Sequence, residues 1–417
     1  MNLAGRLSSA LTAAIALWLL QSAAGAFGHE REAGPGRVFQ HVFVVVLENE
    51  GYDKTFGANS PAPYLSTTLP RQGVLLSQYY GTGHVSLDNY IAMISGQAAS
   101  VQTRADCQTY ADFVLTGMTA DGQAIGTGCV YPASVKTIAD QLTQKGRSWR
   151  AYAEDMGNDP HREAARCGHP QIGAVDLTQS SEAPFAAVPL GDQYAARHNP
   201  FVYFHSIIDS PACEANVVNF SSLQQDLQSE ETTANFTFIT PNLCDDGHDA
   251  PCKNGQPGGL VSADAFLQKW VPIITAAPAY RRDGLLVIIF DEGGLSVGPN
   301  PAGGYLISAP GQSCCNQQPG PNLGAFPQSS ALGPYTLEYQ SFGGDRTGAV
   351  LLSPFLKGGT VSDTPFNHYS LLKTIEDIFD VDGYLGYAGQ PGLVGFFGCV
   401  RSDIAAPEEA FDGCAAR

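Results

Sequence analysis

The sequence is poor in basic residues. Its 22 Lys and Arg stand against 40 Asp and Glu, a net charge of −18 over 417 residues. A surface of that sign repels polyanions, which excludes a nucleic-acid backbone as a partner. Beyond the N-terminus, no apolar run reaches the roughly 18 residues that a membrane helix needs, so stable membrane insertion is not expected. No basic cluster or exposed amphipathic helix is present for docking on a lipid surface. Among the 10 cysteines there is no CxxC pair, which argues against a zinc knuckle. No internal repeat and no boundary linker is visible.

What is there begins with a leader. Residues 1–26 read as a secretory signal peptide: Arg6 gives the positive end, Leu11–Leu20 the apolar stretch, and Ala24-Gly25-Ala26 the cleavage site. Its removal takes away Arg6 and leaves a charge of −19 (−18 less one positive). A secreted or periplasmic location follows. The even cysteine count then reads as disulfides. Cys244–Cys252 and Cys399–Cys414 are plausible local loops, and the adjacent Cys314 and Cys315 are expected to pair elsewhere. Asn219 and Asn235 begin glycosylation sequons.

Strand-like apolar runs recur at Val42–Leu47, Val74–Tyr80, Trp149–Ala153, Phe201–Phe204, Phe236–Thr240, Leu285–Phe290 and Ala349–Ser353. Helix-like segments lie between several of them: Leu87–Ser95, Ser134–Lys145, Ser221–Ser229, Ser262–Ala276 and Tyr369–Phe379. Continuous apolar strands alternating with helices predict an α/β fold with a largely parallel sheet covered on both faces. Sites in such sheets lie at the carboxyl ends of the strands. A single domain over 27–417 is expected, with a Gly/Pro-rich insertion at about 295–345 and a Cys-containing tail from about 388.

Several strand ends carry chemistry. Val42–Leu47 runs into Glu48 and Asn49, hard oxygen ligands. Leu285–Phe290 runs into Asp291 and Glu292, two adjacent carboxylates that call for neutralisation, most often by a metal ion. Phe236–Thr240 leads to Asp246 and His248, a borderline-metal pair. His368 opens a helix. Between a strand run and the helix Leu87–Ser95, Ser86 stands where an N-cap belongs, and a helix start stabilises an anion there. Together these residues supply what a metal-assisted phosphoryl transfer needs.

Two other patterns carry less. Gly294-Leu295-Ser296-Val297-Gly298 fits G-x-S-x-G, with Asp345 and His368 downstream, but Pro299 and Pro301 follow where a nucleophile elbow needs a helix. Gly81-x-Gly83-x-x-Ser86 lacks the third glycine of a dinucleotide fingerprint.

Longer blocks resemble the bacterial and fungal phosphoesterase family of secreted acid phosphatases and phospholipases C. They are Val44–Asn49, Gly83–Tyr90, Trp149–Met156, Tyr194–Pro200, Pro241-Asn242 with Asp246–Asp249, Phe290–Gly293, and Asn367–Ser370 with Thr374–Glu376. The resemblance extends to the alkaline phosphatase superfamily and implies its three-layer α/β/α sandwich. It implies Ser86 as a nucleophile forming phosphoserine and Asn89 as a holder of a phosphate oxygen. Glu48, Asn49, Asp291 and Glu292 would bind one divalent metal ion of unspecified identity. Asp246, His248 and His368 would form a second metal site or bind phosphate. Arg197 and His198, and more weakly His84, would contact substrate. The chain departs from the pattern at Val85 and Asp88, where many members carry proline. Glu50-Gly51-Tyr52-Asp53-Lys54 after Glu48-Asn49 favours the acid-phosphatase branch, which includes phosphoinositide phosphatases. The expected substrate is a small phosphate monoester or a phosphoinositide; phospholipase C activity and a non-catalytic binding role are the alternatives.

Overall fold

A computed structural model describes residues 38–332 and 334–397. The leader, its cleavage site and the Cys399–Cys414 pair lie outside the described residues.

Eight strands form the central sheet: β1 (His41–Leu47), β2 (Val74–Leu76), β3 (Trp149–Ala153), β4 (Val217–Asn219), β5 (Phe236–Thr240), β6 (Gly284–Phe290), β7 (Ala349–Leu352) and β8 (Thr360–Ser362). Their spatial order is β8-β2-β7-β6-β1-β5-β3-β4. Only β7 runs against the rest. β1 and β6 are fully buried along their length, as continuous apolar runs in a doubly covered parallel sheet must be.

Alternate residues of each strand enter two separate cores. Val42, Val44 and Val46 pack with Leu87, Ile91, Ile138, Leu142, Leu371 and Ile375. Those apolar residues come from α1 (Ser86–Ser95), α2 (Ile138–Gln144) and, from the last helix, His368–Phe379. Phe43, Val45 and Leu47 pack on the other side with Leu260, Phe266, Leu267 and Trp270 of α3 (Gly259–Ala276). The last helix is α4. The period-two alternation of the strands thus sets three layers, as expected. Local chemistry fixes the helix limits. Gly96 ends α1 at φ 66°, where a side chain is disfavoured. Thr137 and Asp140 form a reciprocal capping box before α2, and Asn367 accepts from Ser370 N–H to start α4.

Four expectations need correction. Phe201–Phe204 is not a strand; Pro200–Tyr203 is a 3₁₀ turn whose residues are all buried, and a four-residue apolar run has no period that distinguishes the two. Val74–Tyr80 breaks at Ser77 into two strands, Val74–Leu76 and Tyr79–Tyr80, the second pairing with Phe366–Asn367. Ser221–Ser229 is a 3₁₀ turn, Phe220–Ser222, followed by the short helix Leu223–Asp226. Cys314 and Cys315 pair with each other, not elsewhere. Cys244–Cys252 pairs as expected, and Cys107–Cys129 and Cys167–Cys213 are further bridges. The insertion is more ordered than its composition suggests. Ser296–Pro299, Tyr305–Ala309, Gln328–Leu332 and Tyr335–Tyr339 form a four-stranded sheet of their own.

Candidate active site

Register assembles the site. Leu47 of β1 lies opposite Phe290 of β6, so Glu48 and Asp291 leave the sheet side by side. Asp291 N–H donates to Leu47 C=O at 2.9 Å, and Glu48 N–H donates to Asp246 C=O at 2.9 Å, tying in the loop after β5. Asn49 adopts φ 57°, a left-handed conformation that asparagine tolerates, and its N–H donates to Asp291 Oδ1 at 3.0 Å.

Ser86 is the first helical residue of α1, and the extended Val85 is the N-cap. This moves the expected cap by one position. The Ser86 hydroxyl donates to Glu48 Oε2 at 2.7 Å. The loop before it is tightly built. A Cβ on Gly83 would sit 2.4 Å from Asp88 Oδ2, so a side chain there would displace the buried Asp88 carboxylate. Asn89 Oδ1 accepts from Thr82 N–H and Gly83 N–H at 2.8 and 2.9 Å, and its Nδ2 donates to Gly83 C=O at 3.0 Å. Its amide braces the loop. Asp106 accepts from Leu87 N–H at 3.0 Å, satisfying part of the helix start with a carboxylate.

His198 stacks on Tyr90 with ring centroids 5.1 Å apart. Its Nε2 lies 3.4 Å from Glu48 Oε1 and its Nδ1 lies 3.3 Å from Asp246 Oδ2. Burial, with Arg197 and His248 nearby, holds it well below the ordinary histidine range. Arg197 is spent internally, 3.5 Å from Asp106 Oδ2 and donating to the carbonyls of Thr178 and Gln179. His248 is exposed, bonds Asp249 at 3.0 Å, and lies 6.3 Å from the His198 ring. His368 does not join Asp246 and His248. Its Nδ1 meets Tyr79 OH at 2.8 Å and its Nε2 faces the main-chain carbonyl of Asp291. His84 is locked between Glu292 and Asp345, the latter at 2.9 Å. Burial opposes its charge, but those two carboxylates prevail and raise its pKa to about 10. Asp345 in turn accepts from Gln312 N–H of the insertion at 2.6 Å.

The carboxylates are held in an unfavourable state. Burial raises Glu48 to about 7, and burial with mutual repulsion raises Asp246 and Asp291 well above the ordinary range. Glu48 Oε1, Asn49 Oδ1, Asp246 Oδ2 and Asp291 Oδ2 are buried with no hydrogen-bond partner. Oxygen atoms so placed fit a cation chemically. As they stand, no three His, Cys, Asp or Glu side chains among the described residues form a ready metal cluster. Ser296, the alternative nucleophile, is exposed on an insertion strand, and its hydroxyl donates to Ser308 C=O.

Sequence reasoning missed Asp88, Tyr90, Asp106 and Asp345 as parts of this neighbourhood. Asp88 and Tyr90 lie inside the Ser86 block; Tyr90, four residues on, shares the Ser86 face of the helix, whereas the Asp88 carboxylate turns toward Gly83. Asp106 and Asp345 carry no local signal, because turns distant in sequence bring them in.

The fold and this arrangement define an α/β protein whose helix-start serine faces buried carboxylates at parallel strand ends. Residues 61–382 match the phosphoesterase family, and the chain belongs to it. It is 28% identical to a probable acid phosphatase of Kluyveromyces lactis over 62% of this chain and 48% of that protein. It is 26% identical to a phosphate-repressible acid phosphatase of Penicillium chrysogenum over 57% and 46%, respectively. A phosphatidylinositol-3-phosphatase of Mycobacterium tuberculosis is 24% identical over 61% of this chain and 64% of that one. The chain spans about half the length of the fungal relatives it matches. A Vibrio parahaemolyticus protein of the alkaline phosphatase superfamily aligns with 88% of this chain and 75% of its own, at 11% identity and TM-score 0.47. No helix among the described residues is long and apolar enough to cross a membrane.

Proposed function

We propose that this protein is an exported, metal-assisted phosphomonoesterase of acid-phosphatase type that works through a phosphoserine on Ser86. The observation that carries the reading is the Ser86 hydroxyl donating to Glu48 at the start of α1, among buried oxygens without partners. In the first half-reaction Ser86 Oγ bonds to phosphorus while its proton passes to Glu48 Oε2, to which the hydroxyl already donates at 2.7 Å. The ester P–O bond breaks and the alcohol departs, protonated from solvent. Water then displaces Ser86 from phosphorus, Glu48 returns its proton to the departing Ser86 Oγ, and the proton lost by water leaves with phosphate or solvent.

Glu48, Asn49, Asp291 and Glu292 would hold a divalent ion, with Asp246 and His198 opposite them. Bound there, such an ion supplies Lewis-acid stabilisation and lowers the serine pKa. His84 and Asp345 orient Glu292. Asn89 and Gly83 fix the loop that presents Ser86. His248, the exposed member, remains the candidate for contact with the substrate phosphate. The names of the fungal and mycobacterial relatives support small phosphate monoesters and phosphoinositides as the substrate class. The four disulfides among the described residues and the leader-like residues 1–26 support export.

The test compares a chromogenic phosphate monoester with phosphatidylcholine in mixed micelles below pH 7. The expected kcat/KM ratio favours the monoester by at least about tenfold, or about 1.4 kcal/mol. Faster release of phosphocholine would make phospholipase C the better reading.

A further inference from the structure

Beside Ser86 stand Glu48, Asp246, Asp291 and Glu292, and Asp88 lies on another side of the same helix start, against Gly83; all five are buried. A phosphate dianion entering such a field needs a fixed cation in addition to any metal. Arg197 is already committed: its Nη1 donates to the carbonyls of Thr178 and Gln179, and its Nε faces the Asp106 carboxylate at 3.5 Å. His84 is taken by Glu292 and Asp345.

Arg104 is placed differently. It lies in the 3₁₀ turn Thr103–Ala105, two residues before the Asp106 carboxylate that accepts Leu87 N–H. The turn therefore fixes Arg104 relative to the start of the Ser86 helix. Its guanidinium lies over the Tyr339 ring at 4.4 Å and near the Phe326 ring at 5.6 Å. Its Nη2 donates to Gln328 Oε1 at 2.5 Å. Those three partners all belong to the insertion. Nη1 is buried and has no hydrogen-bond partner. The Arg104 charge is felt by Asp88, two residues after Ser86, and both Asp88 oxygens also lack partners. Tyr339, which carries the guanidinium, feels Asp88, Glu292 and Asp106, so this cation stands within the field of the site.

We propose that Arg104 is the phosphate-recognising cation of the Ser86 site, clamped by the insertion so that its free Nη1 edge meets a terminal oxygen of the substrate phosphate. The proposal rests on the phosphoesterase reading above. Stacking on two rings limits rotation of the guanidinium plane, and a planar fork matches phosphate oxygens in a way a lysine ammonium does not. The insertion thereby acts on substrate affinity without supplying a charged group of its own to the reaction.

The probe is inorganic phosphate, used as competitive inhibitor of wild type and as calorimetric ligand of Ser86→Ala. Arg104→Gln is expected to raise both the monoester KM and the phosphate inhibition constant by at least about tenfold. Arg104→Lys recovers part of the loss and guards against misfolding of the first variant. Unchanged phosphate affinity with a lowered Tm would overturn the proposal and make Arg104 a strut for the insertion. Restoration of affinity in Arg104→Gln by adding Asp88→Asn would also overturn it, because the arginine would then serve only to neutralise Asp88. If wild type hydrolyses no monoester, the functional reading falls separately. Calorimetry then still decides: a tenfold loss with Arg104→Gln supports the assignment, and equal affinities overturn it.

Discussion

Two acidic groups stand at the carboxyl ends of neighbouring parallel strands, and only one of them has the makings of a reaction centre. Glu154 and Asp155 follow β3, with Asp245 nearby after β5. Burial raises them to about 8, 6 and 6, comparable to the Glu48 shift. Their oxygens are nevertheless used. Glu154 accepts from Asn242 N–H at 3.1 Å and Asp155 from Asn242 Nδ2 at 2.9 Å, while Lys269 offsets charge on Glu154 and Asp245. Glu48, Asp246 and Asp291 instead keep buried oxygens without partners, one strand away and beside a serine hydroxyl. A shifted pKa therefore does not separate a structural acidic turn from a site. Buried oxygens left without partners, gathered around a nucleophile, do.

The largest expected effect falls on Ser86, which stands with the Glu48 group alone. Ser86→Ala should lower kcat by at least about 10³, while Ser296→Ala stays near wild type. Steady-state kinetics on a phosphate monoester decides, and the reverse pattern would move the site to the insertion.

The two acidic groups are set directly against each other by Asp291→Asn and Asp155→Asn. Asp291→Asn should cost about 10²-fold or more in kcat and lower the bound divalent ion measured by elemental analysis, whereas Asp155→Asn should change kcat less than about threefold. Equal losses from both would erase the distinction. A metal-free wild type with full activity in strong chelator would contradict the metal assignment.

A smaller effect is expected at the support behind Glu292. Removing His84 leaves Glu292 and Asp345 buried without their cation, and breaking such a pair from one side costs about 3–5 kcal/mol. His84→Ala should therefore lower the denaturant midpoint strongly. Asp345→Asn should do so less, because it keeps the shape and removes one of two negative partners. A midpoint for His84→Ala equal to wild type would show the triad to be idle.

The smallest effect is a pH trend set by one buried glutamate from each acidic group and by Glu376 of α4, outside both. Glu48, Glu154 and Glu376 have folded pKa values of about 7, 8 and 8, raised chiefly by burial. The metal-free folded chain thus binds more protons than the unfolded chain between about pH 4.5 and 8, and stability falls as pH rises through that window. His84, raised to about 10, acts in the same direction at higher pH: its contribution is complete below about 6.5 and is lost as pH climbs through 10. Tm should be at least about 5 °C lower at pH 8 than at pH 5. A divalent ion should narrow the gap. A Tm that rises over that interval would contradict the burial of these carboxylates.

Much of the frame was legible in the sequence. Val42–Leu47 and Leu285–Phe290 are continuous apolar runs that only a doubly covered sheet can bury, and their last residues led directly to Glu48 and Asp291. The Ser86 turn was legible because Gly83 precedes it and Gly96 ends its helix. What escaped depends on contacts distant in sequence. Phe201–Phe204 is too short for its period to tell a 3₁₀ turn from a strand. The Cys314–Cys315 bridge and the insertion sheet lie in a segment whose Gly and Pro content reads as loop. Arg104 carries no local signal, since the insertion more than 200 residues later supplies the rings that hold it.

The central claim is that Ser86 is the atom phosphorylated during turnover. Rapid acid quench of wild type with a phosphate monoester, followed by peptide mass spectrometry, tests it most directly. The account predicts one phosphoryl group on the peptide that contains Ser86, appearing before free phosphate reaches its steady rate and absent from Ser86→Ala. A phosphoryl group on another residue, or none at any time while wild type turns over, would contradict it.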